Sequence, residues 1–345
     1  MDKKIIFAVA GSGKTTHIIK GLSADKRSLI VTYTNSNYDN LRIKISDKFN
    51  GEWPENVTLM TYFSFLYKFC YKPFLADTVK ARGILYDQKI LTDEQKTKRK
   101  HGATQKKPEY YMTTNRYLYS NRLALLLEKQ NVIKDVKSRI ITYFDEFVID
   151  EVQDISGEDF GLLEHLMLTD INMLFVGDFY QHTYKTSVNG NTNKNLFDDK
   201  TKYESRFTSK GFLLDTTTLT NSWRCSRNVC DYVRNNLGIA IYSHRPGIEN
   251  TSIEYVTETK RIDAILADSR IVKLHYDKSS KFGAGHKNWG DTKGEDHYHD
   301  VCVILNEIAT SKRNSGKLQD LAPLTKNKLY VAITRARNNV YLVDA

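Results

Sequence analysis

Cysteine is scarce in this 345-residue sequence, which has only Cys70, Cys225, Cys230 and Cys302, scattered along the chain. Four residues separate Cys225 from Cys230, and no second Cys/His pair stands beside them. That spacing argues against a disulfide framework or a zinc site and for isolated thiols in a reducing cytosol. Long apolar runs are missing too; none approaches the ~18–20 residues that span a bilayer. Lys3-Lys4 is followed by only six apolar residues, Ile5 to Ala10, too few for a secretory core and better read as a first strand. A cytoplasmic protein with no membrane contact is therefore expected. The sequence has neither tandem repeats nor a low-complexity tract. Acidic residues are in deficit, 41 Asp and Glu against 51 Lys and Arg, a net charge of +10. An excess of that size points to a polyanionic partner, although charge also serves solubility. Length allows two or three domains, and 40% hydrophobic residues suffice for ordinary cores.

The most informative stretch is Ala8-Val9-Ala10-Gly11-Ser12-Gly13-Lys14-Thr15-Thr16, directly after Ile5-Ile6-Phe7. Strand, glycine-rich loop and helix in that order build a phosphate cradle. Gly11 and Gly13 let the backbone approach an anion and aim N–H groups at it, and the helix adds its positive end. Ala8 replaces the first glycine of the general pattern. Lys14 is placed to reach the β- and γ-phosphates of a nucleoside triphosphate, and Thr15 to hold Mg²⁺.

Alternating apolar runs and helical stretches follow. Ser28–Thr34 and Val57–Thr61 read as strands, and Thr16–Leu22, Tyr38–Phe49 and Tyr62–Tyr71 as helices, a pattern that implies a parallel sheet covered on both faces. Residues 72–122 differ, with twelve basic and five acidic side chains, which is +7 of the net charge. Tyr86, Tyr110, Tyr111, Tyr117 and Tyr119 are interleaved with them. Cations with aromatic faces suit single-stranded nucleic acid; a solvated insertion explains the same composition equally well. The α/β pattern resumes from Arg139, with strands at Phe144–Ile149 and Met173–Val176. A second α/β unit begins near Leu219 and ends in a strand at Val340–Val343.

Asp150-Glu151 closes an apolar strand. There Asp150 can hold Mg²⁺ through water, and Glu151 can polarise an attacking water as general base. Gly177-Asp178-Phe179-Tyr180-Gln181 sets a neutral amide at a strand end, where it can sense a γ-phosphate. Asn221-Ser222-Trp223-Arg224 and Thr334-Arg335-Ala336-Arg337 bring arginines able to offset transition-state charge. A small-molecule kinase accounts for the loop and Asp150 but not for these later elements.

Taken in order, the motifs resemble superfamily 1 helicases of the UvrD/Rep type, over Ala8 to Leu342. The loop looks like motif I, Val31–Asn35 like Ia, Thr61–Ser64 like Ib and Asp150–Asp154 like II. Gly177–Gln181 with Tyr184 looks like III, Asn221–Arg224 like IV, Thr292–Glu295 like V and Tyr330–Arg337 like VI. The resemblance implies two RecA-like P-loop NTPase domains with parallel sheets. The first is 1–71 with 139–215, the second 216–345, and 72–138 is a small basic insertion of the 1B kind. It implies an ATP hydrolase using ATP and Mg²⁺, in which Lys14, Asp150, Glu151, Gln181, Arg224 and Arg335 are catalytic. Ala10, Gly11, Ser12, Gly13, Thr15, Thr16, Trp223, Gly294 and Glu295 would bind nucleotide, with Trp223 where the family stacks a tyrosine on adenine. Tyr33, Thr34, Asn35, Thr61 and Tyr184 would line a single-strand track.

The sequence also departs from the family pattern. No glutamine precedes the loop among the seven residues before Ala8 to clamp adenine. Phe63 replaces a histidine, and Thr186 stands where the family often has a tryptophan. Glu295 and Asp296 compete for the role of the motif V acid, and His297 and His299 beside them read as a polar loop rather than a metal site. Only 67 residues separate Arg224 from Thr292, so most of the 2B domain is expected to be missing. The reading is an ATP-dependent translocase or helicase on single-stranded DNA, with 3′-to-5′ movement implied by the resemblance alone and RNA left open as substrate. The alternative is a DNA-sensing ATPase that does not unwind alone and works with a nuclease or another effector, as in compact bacterial defence systems.

Overall fold

A computed structural model describes residues 2–86, 93, 95, 104–183, 192–245 and 250–345. The chain forms two compact units. The first comprises Met1–Ile5, Ile18–Phe175 and Lys185–Leu214; the second comprises Ile6–His17, Val176–Tyr184 and Asp215–Ala345.

The first eight strands are β1 (Lys3–Phe7), β2 (Ser28–Thr32), β3 (Val57–Thr61), β4 (Gly83–Leu85), β5 (Tyr117–Tyr119), β6 (Glu146–Asp150), β7 (Asn172–Gly177) and β8 (Leu213–Asp215). Six of them form one sheet in the order β3-β2-β6-β7-β1-β8. β2 lies parallel to both of its neighbours. Leu29, Ile30 and Val31 of β2 and Phe147, Val148 and Ile149 of β6 are all buried, the continuous apolar pattern of strands covered on both faces. In the first unit Phe147 meets Phe175 edge-on at 5.8 Å, and Phe175 packs on Phe212 at 4.8 Å. The register puts Thr32 opposite both Thr61 and Asp150, so three polar residues end adjacent strands at one level. In open parallel sheets that carboxyl edge is where ligands bind.

After β3 the chain is helical from Tyr62 to Ser64, π-helical over Phe65–Tyr71 and α-helical again over Lys72–Val79. β4 and β5 then pair in parallel. Three of the five tyrosines of this basic segment, Tyr110, Tyr111 and Tyr119, are buried, whereas Tyr86 and Tyr117 are exposed. Two of these rings enclose Arg122, itself buried, whose guanidinium lies 3.8 Å from the Tyr110 ring centre and 5.5 Å from that of Tyr119, while the Tyr111 hydroxyl donates to the Gln105 carbonyl at 2.8 Å. These rings solvate a cation inside the fold and are not presented to nucleic acid. Lys89, Lys96, Lys98, Arg99 and Lys100 fall outside the described residues.

The second unit has β9 (Asn221–Ser222), β10 (Tyr242–Ser243), β11 (Ile253–Tyr255), β12 (Val272–His275), β13 (His286–Asn288), β14 (Val301–Leu305) and β15 (Val340–Asp344). The last five form an all-parallel sheet in the order β11-β15-β14-β12-β13. Leu274, Trp289, Val303 and Leu342 lie in its core together with Val229, Cys230, Val233 and Leu237 from one face of the helix Arg227–Leu237. The Ser226 hydroxyl caps that helix by accepting from the Val229 N–H, and Gly238 closes it at φ 65°, the left-handed position that favours glycine. The interval between Arg224 and Thr292 is thus filled by that helix, β10 to β13 and the helix Thr259–Ala267, all elements of the unit itself. All four cysteines are buried thiols. Among the described residues no helix is long and apolar enough to cross a membrane.

One acid of the first unit sets a pH dependence. Asp159, in the first turn of the helix Gly157–Leu166, is buried with neither carboxyl oxygen hydrogen-bonded. Removal from water pushes this carboxyl up to about 7. An unfolded aspartate titrates near ~3.9, so the folded chain keeps a proton that the unfolded chain gives up. Its stabilising share is complete below the unfolded value and is lost as pH rises through about 7. Asp159→Asn should therefore gain stability over the wild type by on the order of 2–4 kcal/mol between pH 4 and pH 7.5. Urea unfolding of both proteins at the two pH values measures that difference.

Candidate nucleotide and nucleic-acid sites

The glycine loop belongs to the second unit and is fixed there by its own backbone. Ala8 N–H donates to the Gly177 carbonyl at 2.8 Å, Val9 N–H to that of Leu219 at 2.9 Å, and the Gly11 carbonyl accepts from Trp223 N–H at 2.8 Å. Ala10 N–H donates to the Tyr330 hydroxyl at 2.8 Å, and Ser12 Oγ donates to the Val9 carbonyl at 2.8 Å. Gly11 and Gly13 take φ of 69° and 88°, conformations open to glycine at little cost. A Cβ on Gly11 would lie 2.7 Å from both Arg224 Cβ and Ser222 Oγ. The helix Lys14–Gly21 starts straight after, with Lys14 buried and Thr15 half-buried in its first turn and Thr16 exposed. Left-handed glycines leading into a helix N-terminus fit a triphosphate, and the Thr15 hydroxyl is a hard oxygen donor of the kind Mg²⁺ prefers.

Against this loop stand Trp223 and Arg224. Ser222 Oγ accepts from the N–H groups of Arg224 at 3.2 Å and Cys225 at 3.0 Å, a tight turn that leaves Trp223 65% exposed. The indole stacks on His244 with ring centres 4.1 Å apart and planes 17° apart. Arg224 Nη1 donates to the Thr334 carbonyl at 3.1 Å, and its Nη2 bonds the Asp296 carboxylate. Arg335 is buried and donates from Nε to the Val331 carbonyl and from Nη1 to those of Thr292 and Glu295, each at 3.2 Å. Burial, then the neighbouring charge of Arg224, push its guanidinium down to about 10. An opposite charge beside it favours the charged guanidinium.

Of the two acids that the sequence leaves open, Asp296 is the one turned to the arginines, with Oδ1 also 3.9 Å from Arg335. Glu295 instead accepts from Lys287 and from the Tyr298 hydroxyl, both at 2.5 Å. Gly294 beside it turns the chain at φ 87°. Gln181 is buried at the end of a 3₁₀ turn over Phe179–Gln181, which the Asp178 side chain caps by accepting from Tyr180 N–H at 3.1 Å. Tyr184 and Thr186 lie outside the described residues. Among the described residues no three His, Cys, Asp or Glu side chains gather as a metal cluster.

The first unit holds the other candidates. Asp150 is buried at the end of β6, a carboxylate donor suited to a hard cation. Glu151 follows in the left-handed region at φ 56° and accepts from Gln153 Nε2. A non-glycine residue held there is a strained position of the kind found at functional sites. Tyr33, Thr34, Asn35 and Thr61 come together at the carboxyl ends of β2 and β3. Thr34 Oγ1 caps the helix Asn35–Lys48 by accepting from Asn37 N–H at 3.2 Å, and Thr61 Oγ1 accepts from Ser64 N–H at 3.3 Å. Tyr33 stacks on Tyr62 at 5.7 Å and meets Phe63 edge-on at 5.7 Å; Phe63 in turn meets the exposed Tyr86 at 5.3 Å. Asn35 and Thr61, with Tyr38, Ser64 and Lys68, line a surface cavity of about 510 Å³.

Sequence reading missed His244 behind Trp223 and Arg245, whose guanidinium donates to the Arg224 carbonyl at 2.9 Å and to that of Arg337. No local pattern marks either residue, because each is defined by a partner far along the chain.

A family model described as an AAA domain matches residues 2–187. No curated protein matches the sequence. Among solved structures, the PRRSV helicase is 12% identical with a TM-score of 0.49, covering 99% of this chain and 52% of that one. Arterivirus nonstructural protein 10, a helicase solved with DNA, is 16% identical with a TM-score of 0.50, covering 99% and 61%. The second likeness shows a shared P-loop fold with parallel sheets. The chain spans between half and two thirds of the length of these structures.

The close approach at Gly11 gives a direct test. Gly11→Ala is expected to weaken triphosphate binding by at least ~10-fold, since the methyl group meets Arg224 and Ser222 and the backbone resists φ of 69°. Gly21→Ala, with no atom within 4 Å of the added carbon, should bind as the wild type does. Titration with a fluorescent nucleotide compares the two.

Proposed function

The chain belongs to the AAA domain family, and from that premise we propose that it is an ATP-dependent translocase or helicase acting on single-stranded DNA. The observation that carries this reading is the gathering, in one unit, of the glycine loop with Trp223, Arg224, Gln181 and Arg335. A fold shared with a helicase solved on DNA supports it, as does the basic excess of the chain.

In this reading Lys14 and the N–H groups of Gly11 to Thr16 hold the triphosphate, and Trp223 stacks on the base while His244 backs its other face. Bound Mg²⁺ supplies charge neutralisation on the phosphate oxygens; Thr15 and Asp150 are the residues that would hold it. Glu151 accepts a proton from the attacking water. Gln181 senses the γ-phosphate, and Arg224 and Arg335 offset the charge that develops on it. Gly294 and Glu295 complete the nucleotide contacts, with Asp296 orienting the arginines. Tyr33, Thr34, Asn35, Thr61 and Tyr184 line the strand. The expected division is 1–71 with 139–215, an insertion at 72–138, and 216–345. ATP binding closes the two RecA-like domains through Arg224 and Arg335 and hydrolysis reopens them, with 3′-to-5′ movement of the UvrD/Rep kind.

A second reading, an ATPase that senses DNA and needs an effector such as a nuclease, is favoured by one feature: residues 225–291 are spent on the second unit's own elements. Strand displacement by the protein alone, and then with the product of any adjacent gene, separates the two readings. The core claim is tested by hydrolysis with and without single-stranded DNA, with single-stranded RNA as competitor. Stimulation by DNA is expected, and Lys14→Ala should lower the stimulated rate by at least ~100-fold. Equal rates for wild type and variant, or no hydrolysis under either condition, would refute it.

A further inference from the structure

Three segments that are remote in sequence meet at one buried hydroxyl. Tyr330 lies in the helix Pro323–Ile333 and is fully buried. Its Oη accepts from Ala10 N–H at 2.8 Å and donates to Asp178 Oδ2 at 3.0 Å. The other oxygen of Asp178 caps the turn that ends in Gln181. Four residues past Tyr330, Thr334 Oγ1 donates to the Tyr330 carbonyl at 2.8 Å, the Thr334 carbonyl takes Arg224 Nη1, and Arg335 follows. One phenol therefore touches the glycine loop and the Gln181 turn, and sits on the helix that runs into Thr334, whose carbonyl holds Arg224, and Arg335.

The chemistry of the contact fixes its polarity. Burial and the Asp178 carboxylate hold the phenol far above the usual tyrosine range, so it remains a donor to Asp178 and an acceptor from Ala10 at any working pH. A phenylalanine would fill the same space as packing. It would also remove the hydroxyl that accepts from the loop N–H of Ala10 and donates to the Asp178 carboxylate.

We propose that Tyr330 is a positioning residue for phosphoryl transfer, whose hydroxyl locks the glycine loop, the Gln181 turn and the helix that runs into Thr334 and Arg335 into the one register that favours ATP over ADP. This deepens the ATPase reading and rests on it. The γ-phosphate is the only part of the nucleotide that needs all three segments at once, so a loosened register weakens ATP and its transition state more than ADP.

The test is Tyr330→Phe, read by equilibrium affinity for Mg-ADP and for a non-hydrolysable Mg-ATP analogue, and by DNA-stimulated turnover. The expected result is ADP affinity within ~3-fold of wild type, analogue affinity lower by ~10-fold or more, and kcat lower by ~10- to 100-fold with KM for ATP raised by about the factor that the analogue loses. Asp178→Asn should act in the same direction, and the double variant should be within ~3-fold of the worse single variant, because both act through one chain of bonds. Equal weakening of ADP and analogue, multiplying losses in the double variant, or wild-type behaviour of Tyr330→Phe would each overturn the proposal. Should Tyr330→Phe fail to fold, the ADP-to-analogue ratio of Asp178→Asn decides. If the wild type hydrolyses nothing, the ATPase reading falls while the affinity ratio still judges Tyr330.

Discussion

At Gly11 the loop backbone comes so near Ser222 and Arg224 that a single added carbon would collide with both. Two neighbours on either side of this contact depend on it. The Gly11 carbonyl holds the Trp223 N–H, and Ser222 Oγ folds Arg224 and Cys225 back on themselves. A loop of ordinary residues would have to stand off, and Trp223 and Arg224 would then lose their place beside it. The exposed indole and the guanidinium are thus aimed by backbone contacts rather than by their own side-chain packing.

Electrostatics adds a second constraint. Arg335 is buried beside Arg224, and carbonyl oxygens of Val331, Thr292 and Glu295 do most of the work of replacing water around it. Among the described residues the carboxylate that faces both arginines, Asp296, is 60% exposed and so compensates only partly. Two cations with one well-solvated acid make a place where an incoming polyanion gains more than it would from either arginine alone. The depressed guanidinium of Arg335 expresses its burial first and the neighbouring charge of Arg224 second.

Much of this architecture is legible in sequence because it is local. The strand at Val57–Thr61 has the expected bounds, and those at Ser28–Thr32, Glu146–Asp150 and Asn172–Gly177 differ by one or two residues. Each is a short apolar run ending in polar residues, which is what a buried parallel strand requires. The helix expected from Tyr38 begins at Asn35, since the Thr34 hydroxyl caps it there. The glycine loop and the arginines are readable from spacing for the same reason. The long-range partners are not. Nothing near Tyr110 or Tyr119 announces that Arg122 will draw both rings inward. Glu295 and Asp296 are equivalent on paper; Lys287 and Tyr298 on one side and Arg224 on the other separate them. His244 becomes part of the tryptophan's surroundings only once β9 and β10 have paired.

The bond from Ala10 to Tyr330 closes a span of 320 residues. During synthesis the loop leaves the ribosome 320 residues ahead of the phenol. At ~5–20 residues per second, the loop waits roughly 16–64 s before its partner exists. Until then the Ala10 amide is paired with water, and the first unit has time to form its sheet while the second cannot yet close. Assembly of the second unit is in this sense delayed, set by the arrival of the helix Pro323–Ile333.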